Sequence, residues 1–113
     1  MNSIITTHVL DTARGTPAVG VSVTLHVHSA GGWQEAGRGV TNQDGRVSNL
    51  LAGKNLKAGR YRLTFDTAAY LAQFNVSCFF PEVAILFEVQ DVNQHYHVPL
   101  LLSPFGYSTY RGT

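Results

Sequence analysis

Charged side chains are scarce in this chain of 113 residues, since Asp, Glu, Lys and Arg together make up 13% of it, which is about half the usual share. Eight Lys and Arg residues against seven Asp and Glu residues give a formal net charge of +1. That balance excludes a strongly basic nucleic-acid binder and an acidic solvating tail. A surface with so little charge leaves weakly polar area facing water. Because oligomers hide such surface, we expect more than one copy.

Cysteine and long hydrophobic runs are nearly absent as well. Cys78 is the single cysteine, which excludes an intramolecular disulfide and a cysteine-based zinc or iron–sulfur site. Residues 1–10 show no basic segment followed by an apolar one, so we expect no secretory signal. No apolar run approaches the roughly 18 residues that cross a bilayer. These absences predict a cytoplasmic protein with no membrane partner.

The motifs of several large enzyme classes are missing too. The chain has no Gly-x-Ser-x-Gly nucleophile motif and no glycine-rich phosphate loop ahead of a helix. Asp44 and Gly45 do not begin a calcium-binding loop. Composition and motifs alone therefore point to no particular substrate.

What the sequence does contain is a hydrophobic period of two along most of its length. Val21, Val23, Leu25 and Val27 alternate with polar residues, as on a strand with one buried face. Turn signals rich in Gly and Pro separate such segments. The pattern predicts an all-β sandwich or barrel forming a single domain over residues 1–113. The predicted strands cover residues 4–10, 21–28, 61–66, 83–89, 95–102 and about 107–111.

One segment breaks this alternation. Residues 68–73 are rich in Ala and Leu, which favour a helix, and contain neither Gly nor Pro. Asp66 or Thr67 would cap its first turn. We therefore predict one short helix.

Four of the five histidines form two His-x-His pairs, which are His26 with His28 and His95 with His97. On a strand, positions i and i+2 share a face, so each pair can present two imidazoles together. Such a face can bind a metal ion or exchange protons near neutral pH. Zinc needs three or four ligands, and neither pair has an obvious third. The first pair is interpreted as a solvated face, whereas the second, with apolar neighbours, stays open between surface and function.

Three further features could bear chemistry. His8 lies in the apolar first strand, and Arg46 follows the turn at residues 42–45. By themselves a lone strand histidine and an arginine after a turn are more typical of structural or solvated residues. Residues 110–113 combine an aromatic ring, a cation, a glycine and a hydroxyl. That mixture can hydrogen-bond a small polar ligand when the segment is held against the protein.

Two parts of the sequence resemble a known family. Residues 7–11 (THVLD) and 14–18 (RGTPA) resemble the start of the transthyretin superfamily. Residues 95–104 (HYHVPLLLSP) and 107–112 (YSTYRG) are similar to its enzymatic branch, the 5-hydroxyisourate hydrolases. The resemblance extends over nearly the whole chain. It departs at Thr113, where the branch has serine, so the hydroxyl is kept and a methyl group is added.

The resemblance implies a two-sheet, transthyretin-like sandwich of about eight strands with one short helix. It implies a homotetramer built by edge-strand pairing and face-to-face stacking, with active sites in the channel at the dimer–dimer interface. The implied reaction opens the cyclic amide of 5-hydroxyisourate, a step of urate degradation, and gives 2-oxo-4-hydroxy-4-carboxy-5-ureidoimidazoline without a cofactor or metal. The alternative is a non-enzymatic carrier of small aromatic ligands, as in the transthyretin branch.

The resemblance also implies roles for particular residues. Catalysis falls to His8, Arg46 and His97, with Arg46 suited to stabilising negative charge. Either histidine could be the base that activates water, and His95 is left as a supporting residue. The implied substrate-binding residues are Ser108, Tyr110, Arg111, Gly112 and Thr113.

Overall fold

Alternating apolar residues build two β-sheets that enclose a common core. The computed structural model describes residues 5–113 and contains nine strands and one helix within them. In chain order these elements are β1 (Ile5–Asp11), β2 (Thr16–Pro17), β3 (Ser22–Ser29), β4 (Gly32–Val40), β5 (Arg46–Val47), β6 (Gly59–Phe65), α1 (Thr67–Ala72), β7 (Val83–Val89), β8 (Tyr96–Ser103) and β9 (Gly106–Thr109).

The two sheets differ in how their strands pair. The four-stranded sheet has the order β4-β3-β6-β7 and is antiparallel throughout. The five-stranded sheet has the order β2-β1-β8-β9, and β5 pairs with β1. Its central pair, β1 with β8, is parallel and aligns Thr6 with His97. This register places an early and a late segment of the sequence side by side.

The core lies between the inward faces of the sheets. Val9, Leu25, Leu63, Phe65 and Leu100 are all 0% exposed. Burying one such side chain stabilises the fold by about 1.5–3 kcal/mol relative to leaving it in water. Because inward residues alternate with outward ones along each strand, the same packing turns the residues between them to the outer face of the sheet.

The predicted sandwich and its short helix are confirmed, with differences in detail. The structure has nine strands rather than about eight. β4 was not predicted because its sequence, GWQEAGRGV, has no apolar alternation, and it forms one edge of its sheet. β2 and β5 are two residues each, too short for a periodic signal. The predicted start of the first strand at Ile4 lies outside the described residues.

The helix begins as its capping signal indicates. The Asp66 carboxylate accepts a hydrogen bond from the backbone N–H of Ala69, which satisfies a donor of the first turn. Tyr70 of α1 is buried and donates its hydroxyl to the carboxylate of Asp11, 2.7 Å away. This contact fixes α1 to the end of β1. Within residues 5–113 no helix is long and apolar enough to cross a membrane.

Candidate active site

The outer face of the five-stranded sheet gathers side chains from three strands. Strand pairing sets His8 of β1 opposite Arg46 of β5, and Thr6 of β1 opposite His97 of β8. Paired residues share a face of the sheet, and Tyr96 and Val98 on either side of His97 are buried in the core. The side chains of His8, Arg46 and His97 therefore project from the same outer face. The rings of His8 and His97 lie 6.5 Å apart, measured between centroids.

A hydroxyl fixes the orientation of the His97 ring. The Thr6 Oγ1 atom is 2.7 Å from His97 Nδ1 and 3.0 Å from His95 Nε2. Thr6 is 8% exposed, so this contact is largely shielded from water. With Nδ1 engaged by Thr6, the nitrogen of His97 left for a ligand is Nε2.

The environment keeps His97 neutral. Burial lowers the pKa of its imidazole below the ordinary value of 6.5, and the positive charge of Arg46 lowers the pKa further, with smaller contributions from His95 and His8. Both causes disfavour the charged ring. At neutral pH His97 is thus an uncharged imidazole that can accept a proton.

Gly112 closes the other side of His97. Its backbone N–H donates to the His97 carbonyl at 2.8 Å, and the two residues form an isolated β-bridge. A Cβ atom on Gly112 would lie 2.6 Å from His97 Cδ2, well inside van der Waals contact. The backbone approaches the ring this closely because residue 112 has no side chain.

The other predicted substrate-binding residues are more exposed than Gly112. Ser108 is exposed on the outer face and pairs with Leu101. Tyr110 is 59% exposed, and Thr113 is also exposed. The Arg111 guanidinium turns to Gln94, donating to its Oε1 at 2.8 Å, and lies 4.6 Å from the centroid of the Tyr96 ring. In this single chain Arg111 thus holds residues 110–113 against β8.

A cavity of about 220 Å³ opens beside His97. Its lining residues come from β7, β8, the end of β9 and the segment that follows it, and they include Tyr110 and Arg111. Neither His8 nor Arg46 lines it. Ligand pockets usually measure about 300–1,000 Å³, so this cavity by itself does not enclose a site that contains both histidines and Arg46.

The structure adds two features that the sequence did not indicate. The first is the Thr6 hydroxyl, whose only sequence signal is that Thr6 shares a strand face with His8. The second is the steric requirement at Gly112. Within residues 5–113 no group of three or more His, Cys, Asp and Glu side chains is positioned to hold a metal ion.

The fold and this arrangement define a two-sheet β-sandwich whose outer sheet face bears imidazoles and a guanidinium. The family described as HIUase/Transthyretin matches residues 5–112. The chain belongs to the HIUase/Transthyretin family.

Three known proteins illustrate the similarity. A protein of Salmonella dublin named 5-hydroxyisourate hydrolase is 45% identical over 112 residues, covering 99% of this chain and 82% of the relative. The structure of Klebsiella pneumoniae 5-hydroxyisourate hydrolase superimposes with a TM-score of 0.87 at 38% identity, over 98% of this chain and 99% of that one. Sea bream transthyretin in complex with thyroxine has a TM-score of 0.90 at 33% identity, over 96% of this chain and 94% of that one.

Proposed function

We propose that this chain is a hydrolase that opens the cyclic amide of 5-hydroxyisourate, giving 2-oxo-4-hydroxy-4-carboxy-5-ureidoimidazoline in urate degradation. The observation that carries the proposal is the common face shared by two imidazoles and a guanidinium, His8, His97 and Arg46. The 45% identity to a protein named 5-hydroxyisourate hydrolase supports the choice of substrate. The activity is assigned to the whole chain as one domain, because both sheets share one core.

In this proposal His97 is the base. Its neutral ring takes a proton from water at Nε2 while the water oxygen bonds to the amide carbonyl carbon. The C–N bond then breaks, and the proton passes to the leaving nitrogen. A positioned acid–base group of this kind contributes about 10²–10⁴-fold to the rate. His8, whose ring lies 6.5 Å from that of His97, is close enough to contact the same substrate.

Arg46 stabilises the negative charge that develops on the carbonyl oxygen. Its guanidinium is planar, always charged and rich in donors, which suits the carbonyl groups of a urea-like ring. Ser108 and residues 110–113 are assigned to substrate binding. Of these, Gly112 contacts His97 directly.

The active form in this proposal is a homotetramer with its sites at the dimer–dimer interface. β7 and β9 each form one edge of their sheet, so their free backbone groups can pair with another copy. Phe79 and Phe105 are 68% and 74% exposed, and contact between copies would cover such surface. Stacking of two outer faces would also cover His8 and Arg46, which lie outside the 220 Å³ cavity beside His97. Light scattering should give four times the chain mass, and a fully active monomer would contradict this model.

The alternative is a non-enzymatic carrier of small aromatic ligands. The similarity to sea bream transthyretin in complex with thyroxine, with a TM-score of 0.90, favours it. A carrier has no need for a neutral imidazole beside a guanidinium, however. The presence of this pair of groups on one face is the reason for preferring the hydrolase.

The deciding experiment follows the ultraviolet decay of 5-hydroxyisourate generated in place by urate oxidase. Addition of the protein should accelerate the decay in proportion to its concentration. A decay rate equal to the spontaneous one, from a folded and assembled protein, would overturn the proposed activity. Tight binding of an aromatic ligand without turnover would then support the carrier.

A further inference from the structure

The Thr6 hydroxyl bridges two imidazoles that the parallel pairing of β1 and β8 brings to it. Its oxygen is 2.7 Å from His97 Nδ1 and 3.0 Å from His95 Nε2. Within the described residues, these two nitrogens are the hydrogen-bond partners of this side chain. The result is a chain of three groups, His95–Thr6–His97, with Thr6 buried, His97 half-buried and His95 exposed.

A hydroxyl has one proton to donate, which links the protonation of the two rings. When Thr6 donates to His95 Nε2, it must accept from His97, so the proton of His97 sits on Nδ1 and Nε2 bears the lone pair. When Thr6 donates to His97 Nδ1, the proton of His97 sits on Nε2 instead. The direction of the Thr6 hydrogen bond therefore decides whether His97 Nε2 accepts or donates a proton.

We propose that Thr6 and His95 are positioning residues that hold neutral His97 as its Nδ1–H tautomer, with Nε2 unprotonated toward the substrate. This inference rests on the proposed function, in which Nε2 takes a proton from water. His95 is the adaptable member, because it is exposed and water can satisfy its other nitrogen in either tautomer. Accepting the Thr6 proton thus costs His95 little.

Gly112 restricts rotation of the His97 ring, which would otherwise be a second way to present a different ring atom to the substrate. His97 Cδ2 faces the Gly112 backbone so closely that even a Cβ atom there would lie 2.6 Å away. The Nδ1 edge is bound to Thr6, so the ring is held on two sides. Exchange of tautomers, rather than rotation of the ring, is then the way in which the properties of Nε2 change.

The test reads the tautomer directly, without substrate. ¹⁵N NMR of the intact protein with ¹⁵N-labelled histidine distinguishes Nδ1–H from Nε2–H at a pH where His97 is neutral. The wild-type protein should show the Nδ1–H form for His97. His95→Phe should shift His97 toward Nε2–H, although His95 is two hydrogen bonds away from it, because the Thr6 proton loses its other acceptor. Thr6→Val should also remove the Nδ1–H preference.

Two variants separate this effect from general damage to the sheet. Thr6→Ser keeps the hydroxyl and should preserve the Nδ1–H form. His28→Phe replaces an exposed histidine of the other His-x-His pair and should leave the His97 signals unchanged. A wild-type Nε2–H form, or an Nδ1–H form that persists in both His95→Phe and Thr6→Val, would overturn the proposal.

Kinetics provide the second readout. Thr6→Val and His95→Phe should lower kcat for 5-hydroxyisourate by about 10- to 100-fold, as is typical for loss of a partner that orients an imidazole, with little change in KM. Thr6→Ser should remain within a few-fold of wild type. If the variants shift the His97 tautomer as expected but the wild-type protein does not hydrolyse 5-hydroxyisourate, the proposed function is overturned and the positioning of the tautomer is supported. If the wild-type protein hydrolyses 5-hydroxyisourate but the variants leave the His97 tautomer unchanged, the proposed function is supported and the positioning role is overturned.

Discussion

The two sheets each bear a His-x-His pair, and the pairs have different surroundings. His26 and His28 lie on β3 of the four-stranded sheet, where a register shift between Leu25 and His26 interrupts the regular pairing. His97 lies near the start of β8 in the five-stranded sheet, with His95 directly before that strand, and the pairing of β8 with β1 continues without interruption. The sequence motif is the same in both, so any difference in chemistry comes from what neighbouring strands supply.

Across β3 the neighbours of the histidines are already engaged with one another. The ring of His28 packs edge-on against Trp33 at 5.1 Å between centroids, and Arg62 lies over the same Trp33 ring. Glu35, paired with His26, is bound to Arg38 at 2.6 Å. These contacts stabilise a surface, and within residues 5–113 they supply no hydrogen bond to the buried Nδ1 atom of His26.

Across β8 the neighbours act on the histidine itself. β1 supplies Thr6 and His8, β5 supplies Arg46, and the segment after β9 supplies Gly112. They fix the His97 ring, lower its pKa and limit the space around it. The comparison shows that a His-x-His pair becomes a candidate site through residues distant in sequence, and not through its own spacing.

The largest difference between the two sheets is expected when one histidine is removed from each. His97→Ala should lower the rate of 5-hydroxyisourate decay by about 10²–10⁴-fold, because it removes the proposed base. His28→Ala should leave that rate near wild type. Equal rates for His97→Ala and the wild-type protein, in samples with the same circular dichroism, would refute the assignment of His97.

A second comparison removes one arginine from each sheet. Arg46→Gln should reduce kcat by about 10²–10³-fold, since it removes a donor to the developing oxyanion. Arg60, exposed on β6 of the four-stranded sheet, is the matched position, and Arg60→Gln should have little effect. Steady-state rates on freshly generated 5-hydroxyisourate measure both variants. A similar loss in the two would mean that charge in general, and not Arg46, matters.

A methyl group can test the space beside His97. Gly112→Ala places a Cβ atom 2.6 Å from His97 Cδ2, so either the ring is pushed against Thr6, which is already 2.7 Å from Nδ1, or residue 112 shifts. We expect a loss of about 10-fold or more in kcat, comparable with the loss of a partner that orients an imidazole. Gly31→Ala, in the turn between β3 and β4, is the control because its Cβ would meet nothing closer than 3.9 Å. Unchanged turnover in Gly112→Ala would show that this close contact is dispensable.

The smallest effect concerns the pH profile. Burial and the charge of Arg46 lower the pKa of His97, and a base must be neutral, so kcat/KM should fall only as the pH drops through that lowered pKa. Arg46→Gln removes a positive charge, which raises the pKa of His97 and moves the acid limb to higher pH. Arg46→Lys keeps the charge and should leave the limb in place. An acid limb that moves to lower pH in Arg46→Gln would contradict this electrostatic account.

Much of the fold could be predicted because burial imposes a period of two. β3, β6, β7 and β8 were identified from alternating apolar residues within two residues at each end. The cap at Asp66 set the start of α1 in the same way. β4 could not be found by this rule, because an edge strand with several glycines and charged residues has no regularly buried face to leave a signal.

The candidate site was less accessible to such reasoning. The resemblance to a family singled out His8, Arg46 and His97, but periodicity alone treats a threonine between Ile5 and Thr7 as an ordinary strand residue. The importance of Thr6 depends on the parallel register of β1 against β8. The alternation within each strand decides which residues face the core, but the choice of partner strand follows from how both sheets pack around the shared core.

The parallel β1–β8 pair also determines when the site can form during synthesis. Thr6 and His97 are 91 positions apart, and nearly all of the intervening residues belong to other strands or their connections. Closing so long a loop is unfavourable until the elements between its ends have folded. A nascent polypeptide still lacking β8 would display His8 and Arg46 without their partner. The histidine–arginine cluster therefore cannot be complete before β8 has been synthesised.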